Sequence, residues 1–159
     1  MKRKHLIILL ALTFIPIAAN GQHLFFIGEK SYPSTEIYTL SANSESENDL
    51  NIAFAKDSNS AYVAVRLEIG YGNQFRGKLI IYLDDGNVVS LDDQVVSDYV
   101  DGIALAVYAL PVEDLSKLEL GNINTVRYEM RGAIAGSGNF SSSNRSGINF
   151  PEIVSEFFE

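Results

Sequence analysis

The chain has no cysteine, no tryptophan, two histidines and two methionines among 159 residues. Without cysteine there can be no disulfide, no thiolate nucleophile and no Cys-based zinc site. One histidine, His5, lies in an N-terminal leader; the other, His23, is the second residue after it. Chain ends are poor places to hold a group in a fixed geometry. A Ser-His-Asp triad, a Cys-His pair and a His-based metal site therefore all lack their key residue. No phosphate-binding glycine pattern follows a predicted strand, since Gly136-Ser137-Gly138 sits in a polar segment without an adjoining helix. Basic residues are also missing over a long stretch: from Leu79 to Ser116 there is no Lys, Arg or His, yet Asp84, Asp85, Asp92, Asp93, Asp98, Asp101, Glu113 and Asp114 all fall there.

The start of the chain differs from the rest. Lys2, Arg3 and Lys4 precede an apolar run, Leu6–Ile15, broken only by Thr13 and closed by Pro16. Ala19-Asn20-Gly21 then offers small residues for cleavage before Gln22. This order predicts a secretory signal peptide over residues 1–21 and an exported protein, periplasmic or secreted. The run is shorter than the roughly 20 residues of a membrane-spanning helix, so no stable membrane span is expected after cleavage. The signal holds three of the twelve Lys and Arg and none of the twenty acids, which leaves a charge of −11 from Gln22 onward, against −8 for the whole chain. So acidic a surface repels nucleic acid, and no nucleic-acid partner is expected.

What is present reads as strands. In Gly77–Leu91, two apolar runs flank Asp84-Asp85-Gly86-Asn87. A two-residue turn at Asp85-Gly86 predicts a hairpin in which Leu83 faces Val88, Tyr82 faces Val89, Ile81 faces Ser90 and Ile80 faces Leu91. Both faces are then apolar, which places this hairpin centrally, covered on two sides. Leu24–Ile27 reads as a first strand broken by Tyr32-Pro33-Ser34, and Thr35–Leu40 as an edge strand. Leu50–Ala55 and Ala61–Ile69 alternate with period two and form a second hairpin around Asp57-Ser58-Asn59. Asp92–Asp98 reads as an acidic loop in which Val95-Val96 could extend the pairing. Tyr99–Leu110 reads as one long strand with a bulge or bend at Gly102. Pro111 to Gly121 predicts a short internal helix with Glu113 and Asp114 at its positive end. Ile123–Met130 returns to strand. Residues 132–147, rich in Gly, Ser and Asn, read as a flexible loop, and 150–159 as a C-terminal helix with i,i+4 pairs Ile153/Phe157 and Val154/Phe158. The expected fold is all-β and mainly antiparallel: a single domain over residues 22–159, a β-sandwich or partly open barrel with one short internal helix and a short C-terminal helix.

Two groups of residues could carry a site. Asp92, Asp93, Asp98 and Asp101 supply the carboxylate oxygens that Ca²⁺ prefers, though not at EF-hand spacing; the same residues would also serve as a solvated rim that blunts strand edges. Tyr62, Arg66 and Tyr71 are candidates for an exposed ligand-binding face, and such tyrosines also cap cores with a wet hydroxyl. No other cofactor is expected.

The series FFIGEKSYPST, DLNIAFAKD, GKLIIYLDDGNVVSL and DYVDGIALAVYALPVEDLSKLELGNINTVRYEM resembles small exported β-rich proteins of Gram-negative bacteria that carry no assigned activity. That resemblance implies a structural scaffold and carries over no catalytic residue. The reading is an exported, non-catalytic β-domain: a binding or envelope-associated module for a protein or glycan partner in the cell envelope. Three alternatives are a barrel that binds a small apolar ligand, a calcium-dependent module, and a small hydrolase built on paired carboxylates.

Overall fold

The computed structural model describes residues 23–27, 29–69, 72–132 and 137–159. The expected signal peptide, residues 1–21, and Tyr71 lie outside the described residues. The elements in order are β1 (His23–Ile27), β2 (Lys30–Ser34), β3 (Tyr38–Ala42), β4 (Leu50–Lys56), β5 (Ala61–Glu68), β6 (Gln74–Leu83), β7 (Val88–Leu91), β8 (Gln94–Val100), β9 (Ile103–Leu110), α1 (Val112–Leu120), β10 (Ile123–Arg131), β11 (Gly138–Ser143) and α2 (Phe150–Phe158). The strands form one antiparallel sheet in the order β7-β6-β10-β11-β3-β4-β5-β9-β8, with β1–β2 as a side hairpin joined to β4 at Ser34 and Ala55.

The sheet curls until its two ends meet. Near Gly77, φ +68°, three residues of β6 stand opposite Tyr128 of β10, and this bulge bends β6 toward β8. No ladder closes the gap there. Instead the Phe75 carbonyl accepts from Gln94 Nε2 and from Ser97 Oγ, both at 3.1 Å, and the Gly77 carbonyl accepts from the Tyr108 hydroxyl at 3.2 Å. The result is a nearly closed all-β barrel with two short helices. Inside it Leu50, Ile52, Phe54, Val63, Val65, Phe75, Leu79, Ile81, Ala104, Ala106, Tyr108, Val126, Tyr128 and Met130 form one cluster of buried side chains. The small Ala104 and Ala106 leave room for the large, fully buried Tyr108 and Phe75 in the same interior.

The helices cover the end where β9 leaves and β10 enters. Phe150 stacks edge-on against Tyr38 and Phe54, and Leu118 and Val154 are fully buried. Asn122 ties this end together. Its N–H donates to Asp84 Oδ1 at 2.8 Å, its carbonyl accepts from the Asp84 N–H at 2.9 Å, and its Oδ1 accepts from the first helical N–H, Phe150, at 3.1 Å. Asp84 at the hairpin tip is thus a structural clamp. Beside it, the backbone and side-chain N–H groups of Asn87 hold the Asp85 carboxyl below its usual range.

Several expectations are corrected. The β6–β7 register is shifted by one: Leu79 faces Leu91, Ile80 faces Ser90, Ile81 faces Val89 and Tyr82 faces Val88. The Gly86 N–H donates to Leu83 and the Leu83 N–H to Asn87. This is a three-residue loop with only Gly86 left-handed, φ +89°. Leu79, Ile81, Val89 and Leu91 are buried while Tyr82 and Val88 are exposed, so β7 is an outer strand with one wet face, not a central one. The expected single strand Tyr99–Leu110 is a hairpin, β8–β9, which turns at Asp101 (φ +52°) and Gly102 (φ +84°). The expected loop 132–147 contains β11, which pairs with β10 over six residues and reaches β3 at Ser142 and Ser143. Finally, β3 lies inside the sheet between β11 and β4 rather than at its edge, and Tyr32-Pro33-Ser34, expected as a break, belongs to strand β2.

Candidate functional site

The side hairpin β1–β2 crosses the outer face of the barrel. Phe25 lines a narrow gap together with Ala53, Ala64 and Leu105 of the barrel's outer face. Because β1 and β2 are only two strands wide, they cover β4 and β5 but not the outer face of β8 and β9. A groove of about 380 Å³ remains along that boundary. Leu24, Phe25, Phe26 and Ile37 line one side, Val100, Ile103 and Leu105 the other, with Arg66, Asp98 and Asp101 as its charged groups. Its apolar residues are unusually bare: Leu24 is 52% exposed, Phe26 62%, Ile37 46% and Val100 57%. Clusters of this kind mark interaction surfaces more often than single exposed apolar residues do.

The groove gathers some of the sequence-predicted residues and separates others. Arg66, Asp98 and Asp101 meet in it. Among the described residues no carboxylate forms an ion pair with Arg66. Tyr62 lies four residues from Arg66 on the same face of β5, about 13 Å away at strand spacing. There it donates to Asp57 Oδ2 at 3.1 Å and packs edge-on against Tyr32. Asp57 accepts backbone N–H bonds from Asn59 and Ser60, which hold its carboxyl below the usual range. Tyr62 is therefore part of a turn and not of the groove.

The four aspartates do not converge. Asp92 and Asp93 precede β8, Asp98 lies within it and Asp101 follows it, so along the strand Asp93 stands about 16 Å from Asp98 and more than about 20 Å from Asp101. Asp92 pairs instead with Lys78 at 2.9 Å. Asp101 is the turn residue itself. Among the described residues no three Asp, Glu or His side chains stand close enough to share a metal ion.

A second cleft, of about 400 Å³, is lined by His23, Thr35, Glu36, Tyr38, Ile153, Glu156 and Phe157. Burial, then the nearby Glu36 and Glu156, push the Tyr38 phenol up. A phenol held protonated beside two carboxylates is a hydrogen-bond donor and no nucleophile. Sequence reading passed over β1 as a site because its four apolar residues resemble any short buried strand. The available signal was that Leu24, Phe25, Phe26 and Ile27 are apolar in succession, so that both faces of the strand are apolar. Compared with models of protein families, with curated proteins and with solved structures, the chain matches none.

Proposed function

We propose that the protein is an exported, non-catalytic binding module of the bacterial cell envelope and that the groove between β1 and β8–β9 is its binding surface. The observation that carries this is the row of half-exposed Leu24, Phe26, Ile37 and Val100 along one continuous groove. Water-exposed apolar area of this kind is retained at a cost in solubility unless a partner covers it. The N-terminal pattern of residues 1–21 supports export, and the acidic charge of the remainder supports a partner other than nucleic acid.

The test has two parts. Mass spectrometry of the protein recovered from a Gram-negative host is expected to find an N-terminus at Gln22. Purified protein is expected to sediment with isolated envelopes, and the Phe26→Ser/Val100→Ser double variant to lose that association while keeping its melting temperature. Equal sedimentation of the variant would overturn the assignment of the groove, and turnover of ester, peptide or glycoside substrates would overturn the non-catalytic reading.

A further inference from the structure

Three consecutive residues of β1, Leu24, Phe25 and Phe26, line the groove. Consecutive strand residues point to opposite faces. A groove touched by all three therefore meets β1 along its edge. One edge of β1 is paired to β2 from His23 to Ile27, and among the described residues the other edge has no partner strand. That free edge presents unpaired N–H and C=O groups beside bare apolar side chains, a template for a further strand.

We propose that the groove binds an extended peptide segment that adds to the free edge of β1, with alternating apolar residues and one cationic side chain. The inference rests on the groove being the binding surface. An added strand would widen the side hairpin to three strands and lay its inward side chains over Val100 and Ile103, at the side of the groove away from the hairpin. Main-chain hydrogen bonds supply affinity in this mode, and alternate side chains supply specificity. Charge sets the cationic requirement. Asp98 and Asp101 stand on the β8–β9 side, and the whole chain carries −8, so a Lys or Arg on the guest is attracted. Arg66 is the groove's only cation among its lining residues; it lies on β5 and can take a carbonyl of the guest.

A second copy of the chain fits less well. The four exposed apolar side chains offer about 400 Å² per copy, which gives about 800 Å² for a two-fold pairing, well under the roughly 1,200 Å² of specific dimers. Two acidic copies would also bring Asp98 and Asp101 toward like charges. A short peptide needs no such area.

The probe is a short peptide of alternating Val and Thr with one central Lys, compared with the same peptide carrying Glu and with a version N-methylated at alternate amides. The Lys peptide is expected to bind and to slow amide exchange in β1, and N-methylation to weaken it at least about tenfold. The Glu peptide is expected to bind about three- to tenfold more weakly. The Asp98→Asn/Asp101→Asn variant, whose Asn keeps the left-handed turn residue, should abolish the Lys–Glu difference. No saturable binding of the Lys peptide below about 1 mM, unchanged β1 exchange in its presence, or equal affinity of the N-methylated peptide would each overturn the inference. If the peptides fail while Phe26→Ser/Val100→Ser still loses envelope association, peptide addition is wrong and the groove assignment stands. If the double variant keeps that association while the Lys peptide protects β1, the envelope reading is wrong and strand addition stands.

Discussion

Replacing Tyr108 by Phe isolates the seam that closes the barrel. The Tyr108 side chain is 0% exposed. Its hydroxyl donates to the Gly77 carbonyl at 3.2 Å and accepts from Gln94 Nε2 at 3.3 Å. Both bonds are long and neutral, and Gly77 is exposed enough for water to replace the lost donor, so the change should cost about 1 kcal/mol near neutral pH. Burial also pushes the phenol from 10 up to about 12. A folded-state value above the unfolded one gives stability that is complete below pH 10 and is lost as pH rises from 10 to 12. Two decades correspond to at most about 2.7 kcal/mol. Its acceptor Gly77 is exposed, which softens the full effect, so about 1–2 kcal/mol is expected. The phenylalanine variant has no such proton to lose. Urea unfolding of both proteins, followed by circular dichroism, should find the natural chain more stable by about 1 kcal/mol at pH 8 and the difference gone by pH 11. Every other group is common to both proteins and cancels. A gap that stays constant from pH 8 to pH 11 would refute the reasoning.

Asn122→Ala removes the acceptor for the first N–H of α2; a loss of about 1–2 kcal/mol is expected, seen as a melting temperature lower by about 3–6 °C. Gly102→Val forces a branched residue into a left-handed turn position and should lower stability by about 1–3 kcal/mol in urea titrations, whereas Asp101→Gly should be neutral within about 1 kcal/mol. Lys56 donates to the Phe157 carbonyl and lies 4.7 Å from the Phe157 ring centroid. Lys56→Met should therefore cost about 1 kcal/mol and speed hydrogen exchange in α2 before it does so in the barrel. The melting temperature should be the same with millimolar calcium as with chelator, because Asp92 and Asp93 are a strand's length from Asp101; a clear rise with calcium would contradict this.

Period-two patterns were legible where the outward positions are mostly polar, as in Ala61–Glu68 and Ile123–Arg131. They failed at the turns, and both failures involve Asp-Gly. At Asp85-Gly86 the dipeptide suggested a two-residue turn, but Asp84 joins the loop to bond with Asn122, a long-range contact that local sequence cannot reveal. At Asp101-Gly102 the two-residue turn with both residues left-handed is real, yet apolar residues on either side made Tyr99 to Leu110 read as one strand. A run of that length exceeds the usual strand and was itself a reason to cut it. Strand β11 was hidden because Gly138-Asn139-Phe140-Ser141-Ser142-Ser143 has weak β preference; its pairing is imposed by β10 and β3 on either side. The groove draws on β1, β5, β8 and β9, and no spacing within any one segment encodes a surface assembled from four.

A ladder between strands belongs to the main chain and survives almost any substitution. The join from β6 to β8 and β9 belongs to Gln94, Ser97 and Tyr108, and each of those can be lost by a single codon change. The hydrogen bonds of this seam are thus open to mutation in a way the ladders of the wall are not, while the buried cluster behind them still holds the two sides together.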